Sequence, residues 1–371
     1  MKQSMRWTSI IAVNFIIFIT VIIIAEFVLR FEYPVQEKVF HFDKNYIIWN
    51  NTLASWRFKS GSESEMSNGY FREKIIIDSE GFRSDEGSEG QKSDSRLVNK
   101  NPYAIVIGDS QSFGHGIASS ETYSSIINKL IEDEFGGGIF LRNFSMPGTG
   151  PFEYDAALDN LLERYSPHLI IIGLTDNDLC EATAERYHLN QKNKEMILEN
   201  RWPSALRFVS SPFSYIILRT SIGLLGRSAV NSLRSFLIKR AVVKTTTLLN
   251  PFYEKCHKSI LAFVQRLSKK LTERNIKAIF VSIPNGFRVR ATAKNSELHN
   301  QIALRQIVSN LEDASTTENY IFVNPMSNLV DHFITHEYLR TSIMLPIDSH
   351  NNGLSNKVIA QTIIASGAIQ M

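Results

Sequence analysis

The sequence predicts an α/β fold, a three-layer α/β/α sandwich around a parallel sheet, with a transmembrane helix at the N-terminus. From residue 101 onward, short apolar runs alternate with longer amphipathic segments, and the apolar runs end in loops of small and polar residues. This alternation is typical of βαβ units, whose parallel strands are covered by helices on both faces. An uncharged apolar stretch near the N-terminus predicts the transmembrane helix.

Residues 8–25 are eighteen residues without a charge, and they follow Lys2 and Arg6. A run of this length nearly spans a bilayer. Because no small-residue cleavage site is evident, we expect an uncleaved signal anchor over residues 1–30; the alternatives are a cleaved signal peptide or a buried core helix. The preceding positive charges predict that the N-terminus is cytoplasmic and that the rest of the chain is periplasmic or extracellular.

Residues 31–100 are predicted to form a β-rich juxtamembrane region that ends in a polar linker. Aromatic and apolar runs at 46–49 and 75–77 favour strands, whereas residues 84–95 are all Ser, Asp, Glu, Gly, Gln or Lys. A segment of that composition buries too little apolar surface to become ordered.

Residues 101–371 form the predicted main domain, with a flavodoxin-like parallel sheet between two helical layers. Strands are expected at 103–108, 140–144, 169–173, 278–282 and 320–323. Helices are expected at 122–134, 152–164, 251–274, 297–311 and 356–366.

A basic segment interrupts this alternation. Residues 200–253 contain eight Lys or Arg and no Asp or Glu, interleaved with apolar residues. We predict a basic helical insert at about 185–250 that contacts an anionic membrane surface or a polyanionic substrate. The alternative is a helical cap whose solvated face is basic.

Several kinds of site are excluded by the sequence. Cys180 and Cys256 are too few for a disulfide framework or a Cys-rich metal site, although one disulfide between them stays open. The dinucleotide fingerprint, the phosphate loop and the Gly-x-Ser-x-Gly elbow are all missing. We therefore expect no metal, no cofactor and no nucleic-acid partner.

Polar residues that could perform acyl transfer follow the predicted strands. Ser110 ends the first strand, Gly148 and Asn177 follow the next two, and His350 precedes the last helix, two residues after Asp348. The carboxyl ends of parallel strands converge, so these loops should surround Ser110. We expect Ser110 to be the nucleophile, His350 the base and Asp348 the residue that orients it. The Ser110 and Gly148 N–H groups and the Asn177 amide would form the oxyanion hole.

On these residues the chain resembles the SGNH (GDSL-type) hydrolases, particularly their membrane-anchored bacterial members. Four blocks stand in the family's order: Gly108-Asp109-Ser110, Gly148 within NFSMPG, Asn177 within DNDL, and Asp348 with His350. The resemblance implies a serine hydrolase of esters and supports the same site residues. Three departures are visible: Thr175 replaces the usual glycine two residues before Asn177, Asp348 and His350 are one residue closer than usual, and Ser145 replaces a common glycine.

We predict a serine esterase that hydrolyses O-acyl esters, acetyl or short-chain, at the cell envelope, with an acylated glycan or a lipid ester as its substrate. One alternative is an O-acyltransferase that modifies an envelope polysaccharide. Another is a non-catalytic polysaccharide-binding protein with the same fold. His115, close after Ser110, is expected to have a structural role and not that of a second base.

Overall fold

The structure is a computed structural model that describes residues 13–25, 47–50, 55–67, 71–84, 103–182, 251–297, 299–316, 318, 320–336, 344–345 and 350–369. The chain divides into two compact units, one made of residues 1–39 and 193–246 and the other of residues 40–192 and 247–371. The predicted basic insert lies outside the described residues, and so does the polar linker beyond Ser84. The domain boundaries given above stay predictions.

In the first unit the structure describes one helix, α1, over residues 13–25. Its apolar side chains are exposed all around, Phe15 by 63% and Ile23 by 62%. Within the described ranges, no helix is both long enough and apolar enough to cross a membrane.

In the second unit the described strands are β1 (Ile47–Asn50), β2 (Ser55–Phe58), β3 (Glu63–Ser67), β4 (Arg72–Ile77), β5 (Arg83–Ser84), β6 (Tyr103–Ile107), β7 (Phe140–Asn143), β8 (Leu169–Thr175), β9 (Lys277–Ile283) and β10 (Ile321–Val323). Eight of them form one sheet in the order β10-β9-β8-β6-β7-β5-β4-β3. The five from β6 onward are parallel, which confirms the predicted α/β fold with a mostly parallel central sheet. Numbered among themselves these five have the order 2-1-3-4-5, so the direction of strand addition reverses between β6 and β8.

The helices of the second unit are α2 (Ser110–Phe113), α3 (Tyr123–Phe135), α4 (Pro151–Arg164), α5 (Asp178–Glu181), α6 (Pro251–Thr272), α7 (Gly286–Ala293), α8 (His299–Ser315), α9 (Met326–Thr335) and α10 (Gly353–Ala365). Most of their buried apolar side chains belong to two hydrophobic clusters, and Phe113 of α2 belongs to a third with residues of β2, β3 and β4. One contains residues of α4, α6 and α8 with Ile105 and Ile107 of β6, and the other contains residues of α3, α9 and α10 with Ala104 and Val106. Successive strand residues point to opposite faces, so β6 contributes to both clusters.

The strands at residues 63–84 extend the main sheet. β4 pairs antiparallel with β3 on one side and with β5 on the other, and Arg83 of β5 pairs with Asn143 of β7. Arg142 fastens this extension because its guanidinium lies 2.8 Å from the Asp78 carboxylate and over the Phe82 ring. β1 and β2 form a separate antiparallel pair. The β-rich part of the chain before residue 100 therefore contributes directly to the edge of the main sheet.

A disulfide joins Cys180 in α5 to Cys256 in α6, across 76 residues of sequence. Cys256 is fully buried in the cluster on the α4, α6 and α8 face. The bond therefore joins the helix that follows β8 to the helix that precedes β9.

Candidate active site

Ser110 is the first residue of α2, directly after the end of β6. Asp109 caps this short helix by accepting a hydrogen bond from the Gln111 N–H at 2.9 Å, and Gly114, with φ +84°, ends it. A side chain at Gly108 would come within 2.3 Å of the Ser112 hydroxyl, so the turn between strand and helix requires glycine. The local sequence thus holds the Ser110 hydroxyl at the carboxyl edge of the sheet, beside the reversal point of the strand order.

His350 lies against Ser110, although the two are 240 residues apart in sequence. Its Nε2 is 2.8 Å from the Ser110 Oγ, a distance at which the hydroxyl can donate its proton to the ring. The histidine loop is tied to the same helix, because the Asn351 N–H donates to Gln111 Oε1 at 3.0 Å. The Asn351 amide nitrogen also donates to the Pro284 carbonyl at 3.1 Å. Nucleophile and base candidates are therefore positioned by one hydrogen-bonded unit.

The His115 ring stacks against the His350 ring. The two rings stack with their centroids 4.2 Å apart and their planes at 27°. His115 is 3% exposed, and the edge of Phe71 contacts its ring with a centroid distance of 5.5 Å. The stacking places His115 against the face of the candidate base, and its structural role stays a prediction.

Gly148 is an exposed residue in the loop after β7, although Met146 and Thr149 of the same loop are buried. Its φ is +74° and an added Cβ would meet nothing within 4 Å, so glycine serves the backbone conformation there and not the available space. The loop is tied to the turn before Ser110, because the Met146 N–H donates to the Gly108 carbonyl at 2.9 Å. Among the described residues the Gly148 N–H has no acceptor, so it is available to a ligand.

Asn177 is also exposed, at the carboxyl end of β8 and directly before α5. Its side chain does not cap the helix. Instead the Oδ1 atom lies 2.8 Å from the Thr175 hydroxyl. Within the described part of the chain nothing accepts a hydrogen bond from the Asn177 amide nitrogen, which leaves that donor for a bound group.

A buried pair of carboxyls lies beneath these loops. Asp109 and Asp178 each place one oxygen 3.1 Å from the Thr175 Oγ1. Asp178 also accepts from the Thr175 N–H at 2.8 Å and from the Tyr154 hydroxyl at 3.0 Å. Burial raises the pKa of Asp109, which the Gln111 N–H opposes in part. Burial, with the neighbouring Asp109 charge, raises the pKa of Asp178 well above its usual range.

A buried ion pair fastens the Asn177 loop to α7. The Arg288 guanidinium, 1% exposed, pairs with the Asp176 carboxylate, which also accepts from the Asn285 N–H at 3.1 Å. Burial raises the pKa of Asp176 and the Arg288 charge opposes that rise. These contacts hold the residue directly before Asn177, so they restrict the position of its backbone.

The structure thus brings Ser110 and His350 into contact, and it places Gly148 and Asn177 on loops at the same edge of the sheet. Asp348 lies outside the described residues, so its assignment stays a prediction, as do the roles assigned to the other four. The supporting contacts of Gln111, Asn351 and Arg288 were not foreseen, because no local motif marks them. Within the described ranges, no three His, Cys, Asp or Glu side chains are grouped as metal ligands.

Comparisons with known proteins give distant structural neighbours only. No family model matches the chain, and no curated protein does. The fold is similar to that of TesA, at 12% identity and a TM-score of 0.40 over 71% of this chain and 97% of that one. It is similar to the acetylxylan esterase Axe2 from Geobacillus stearothermophilus, at 10% and 0.44 over 72% and 95%. It is similar to the psychrotrophic esterase EstA from Pseudoalteromonas sp., at 14% and 0.38 over 72% and 96%. At this level of likeness, function has to be argued from the site itself.

Proposed function

We propose that the protein is a serine esterase of the SGNH type that hydrolyses O-acyl esters with short acyl chains. One observation carries the proposal: the Ser110 hydroxyl and the His350 Nε2 lie 2.8 Å apart at the carboxyl edge of the sheet. A hydroxyl paired with an imidazole is the minimal arrangement for nucleophilic acyl transfer, since the ring accepts the proton as the oxygen attacks.

In the proposed reaction the Ser110 Oγ attacks the ester carbonyl while its proton moves to His350 Nε2. The resulting oxyanion is held by the Ser110 and Gly148 N–H groups and by the Asn177 amide nitrogen. The carbon–oxygen bond to the alcohol then breaks, and the alcohol leaves with the proton from His350. Water, deprotonated by the same imidazole, then attacks the acyl carbon, the bond from this carbon to the Ser110 Oγ breaks, and His350 returns the proton to the Ser110 Oγ as the acid leaves. Asp348 is proposed to orient His350.

We place this activity at the cell envelope, on an acylated glycan or a lipid ester. The disulfide between Cys180 and Cys256 supports an oxidising compartment, because such bonds persist outside the cytosol. The exposed apolar side chains of α1 support a membrane anchor over residues 1–30. Contact of the basic insert with an anionic surface is a further part of the proposal.

The test is hydrolysis of p-nitrophenyl acetate by the full-length chain in detergent micelles. Ser110→Ala should abolish turnover, and His350→Ala should lower kcat by at least about 10²-fold, because a positioned base contributes that much. Ser120→Ala, at an exposed serine of a neighbouring turn, is the matched control and should keep full activity. Turnover by the Ser110 variant equal to that of the wild type would refute the proposal.

A further inference from the structure

The Thr175 hydroxyl faces more oxygen atoms than it has protons. Its Oγ1 lies 2.8 Å from Asn177 Oδ1 and 3.1 Å from one carboxyl oxygen each of Asp109 and Asp178. A threonine hydroxyl donates one hydrogen bond and accepts two. The one hydroxyl proton can be donated to only one of these oxygens, so a second hydrogen bond to Thr175 requires that another of them brings its own proton.

The amide oxygen of Asn177 carries no proton, so the donated proton has to come from the carboxyl pair. Asp178 is fully buried and Asp109 is 4% exposed, and burial disfavours a charge on either. The Asp109 and Glu181 charges disfavour a negative charge on Asp178, whereas the Tyr154 hydroxyl, which donates to Asp178, favours one there and His350 favours one on Asp109. When one carboxyl of the pair carries a proton, it can donate that proton to the Thr175 Oγ1 and leave the hydroxyl's own proton for Asn177.

The direction of that proton decides how the Asn177 amide is turned. With the Oδ1 atom held by the Thr175 hydroxyl, the Nδ2 group is the part of the amide that points away from Thr175. With the amide reversed, its oxygen would face the position of a developing negative charge. The orientation of the Asn177 amide therefore decides whether the side chain stabilises the oxyanion through Nδ2 or repels it through Oδ1.

We propose that Thr175 is a positioning residue that sets the orientation of the Asn177 amide through its hydroxyl, from a position supported by the Asp109–Asp178 pair. The inference rests on the proposed function, in which Asn177 is an oxyanion donor. It concerns the hydroxyl alone, because the Thr175 N–H that donates to Asp178 is present whatever side chain stands at this position.

A double-mutant cycle on p-nitrophenyl acetate hydrolysis tests the proposal, with Thr175→Val as the near-isosteric change and Thr175→Ser as the control that keeps the hydroxyl. Asn177→Ala should lower kcat by about 10²–10³-fold. Thr175→Val should lower kcat by roughly tenfold with KM unchanged, the effect of one lost hydrogen bond. In the Asn177→Ala background the same valine should cost less than about twofold, since its effect acts through the missing amide. Thr175→Ser should keep most of the wild-type kcat.

Thermal unfolding of each variant separates loss of positioning from loss of fold, and Thr175→Ala replaces the valine if the latter does not fold. An equal kcat loss in both backgrounds, or a wild-type kcat in the valine variant, would overturn the role of Thr175. Failure of the proposed function has another signature: the Ser110→Ala variant would be as active as the wild type. That result would overturn both proposals, whereas an additive cycle would overturn this one alone.

Discussion

Removal of the disulfide between Cys180 and Cys256 should lower the free energy of unfolding by several kcal/mol. The bond closes a loop of 76 residues. Loop-closure entropy for that length corresponds to about 4.5 kcal/mol at 25 °C, and removal of native disulfides typically costs about 2–5 kcal/mol. We expect the double variant Cys180→Ala with Cys256→Ala to lose an amount in this range.

The measurement is urea unfolding of the full-length chain in detergent, followed by far-UV circular dichroism. Oxidised wild type, reduced wild type and the double variant are compared, and titration of free thiols verifies each redox state. Cys180 lies three residues after Asn177, within α5, so the reduced and the double-variant chains should also show a lower kcat. The double variant also serves as the control for the reductant. Because it contains no cysteine, adding the reductant should leave its unfolding curve unchanged.

The reasoning would be refuted if reduction left the unfolding midpoint and kcat unchanged, or if the oxidised wild type contained two titratable thiols. An unchanged midpoint would mean that the bond does not restrict the unfolded chain enough to change the free energy of unfolding. Two titratable thiols would show that Cys180 and Cys256 are not bonded, and the disulfide would then no longer support an oxidising compartment.

Three further variants test the framework of the site. Arg288→Met leaves the Asp176 carboxylate buried without its partner and should cost about 3–5 kcal/mol of unfolding free energy, measured by urea denaturation. Gly148→Ala forces an alanine into φ +74° and should cost about 1–2 kcal/mol with no steric clash. Asp178 binds its proton more tightly in the folded state, so its contribution to stability is complete below about pH 4 and is lost as the pH rises towards its raised pKa. Asp178→Asn removes this titration. In thermal unfolding measured over a pH series, the melting temperature of the variant should therefore rise relative to that of the wild type as the pH rises above 4.

The sequence predicted the parallel sheet well because four of its five strands are short, largely apolar runs; β7, with Arg142 and Asn143, is the exception. β6 and β9 are examples, with burial on both faces that leaves no polar alternation to interpret. The antiparallel extension was not predicted as part of the same sheet. β5 has only two residues, and its pairing with β7 depends on contacts across about 60 residues that no local pattern encodes.

In the candidate site, sequence reasoning reached the residues that belong to ordered motifs, and the structure places Ser110 and His350 in contact. It did not reach the residues that hold them. Arg and Asp are found mostly at protein surfaces, yet Arg288 and Asp178 are both buried. Residue type alone would therefore predict the wrong location for each of them. Gln111 and Asn351 meet through a backbone and side-chain contact over 240 residues, which only the fold reveals.

Covalent labelling with a fluorophosphonate tests the central assignment most directly, because the reagent reacts with an activated serine hydroxyl. Peptide mass spectrometry of the labelled full-length chain should locate one adduct on Ser110, and His350→Ala should slow its formation by at least about 10²-fold. An adduct on another residue, or labelling of Ser110 at the same rate without His350, would contradict the account of the site.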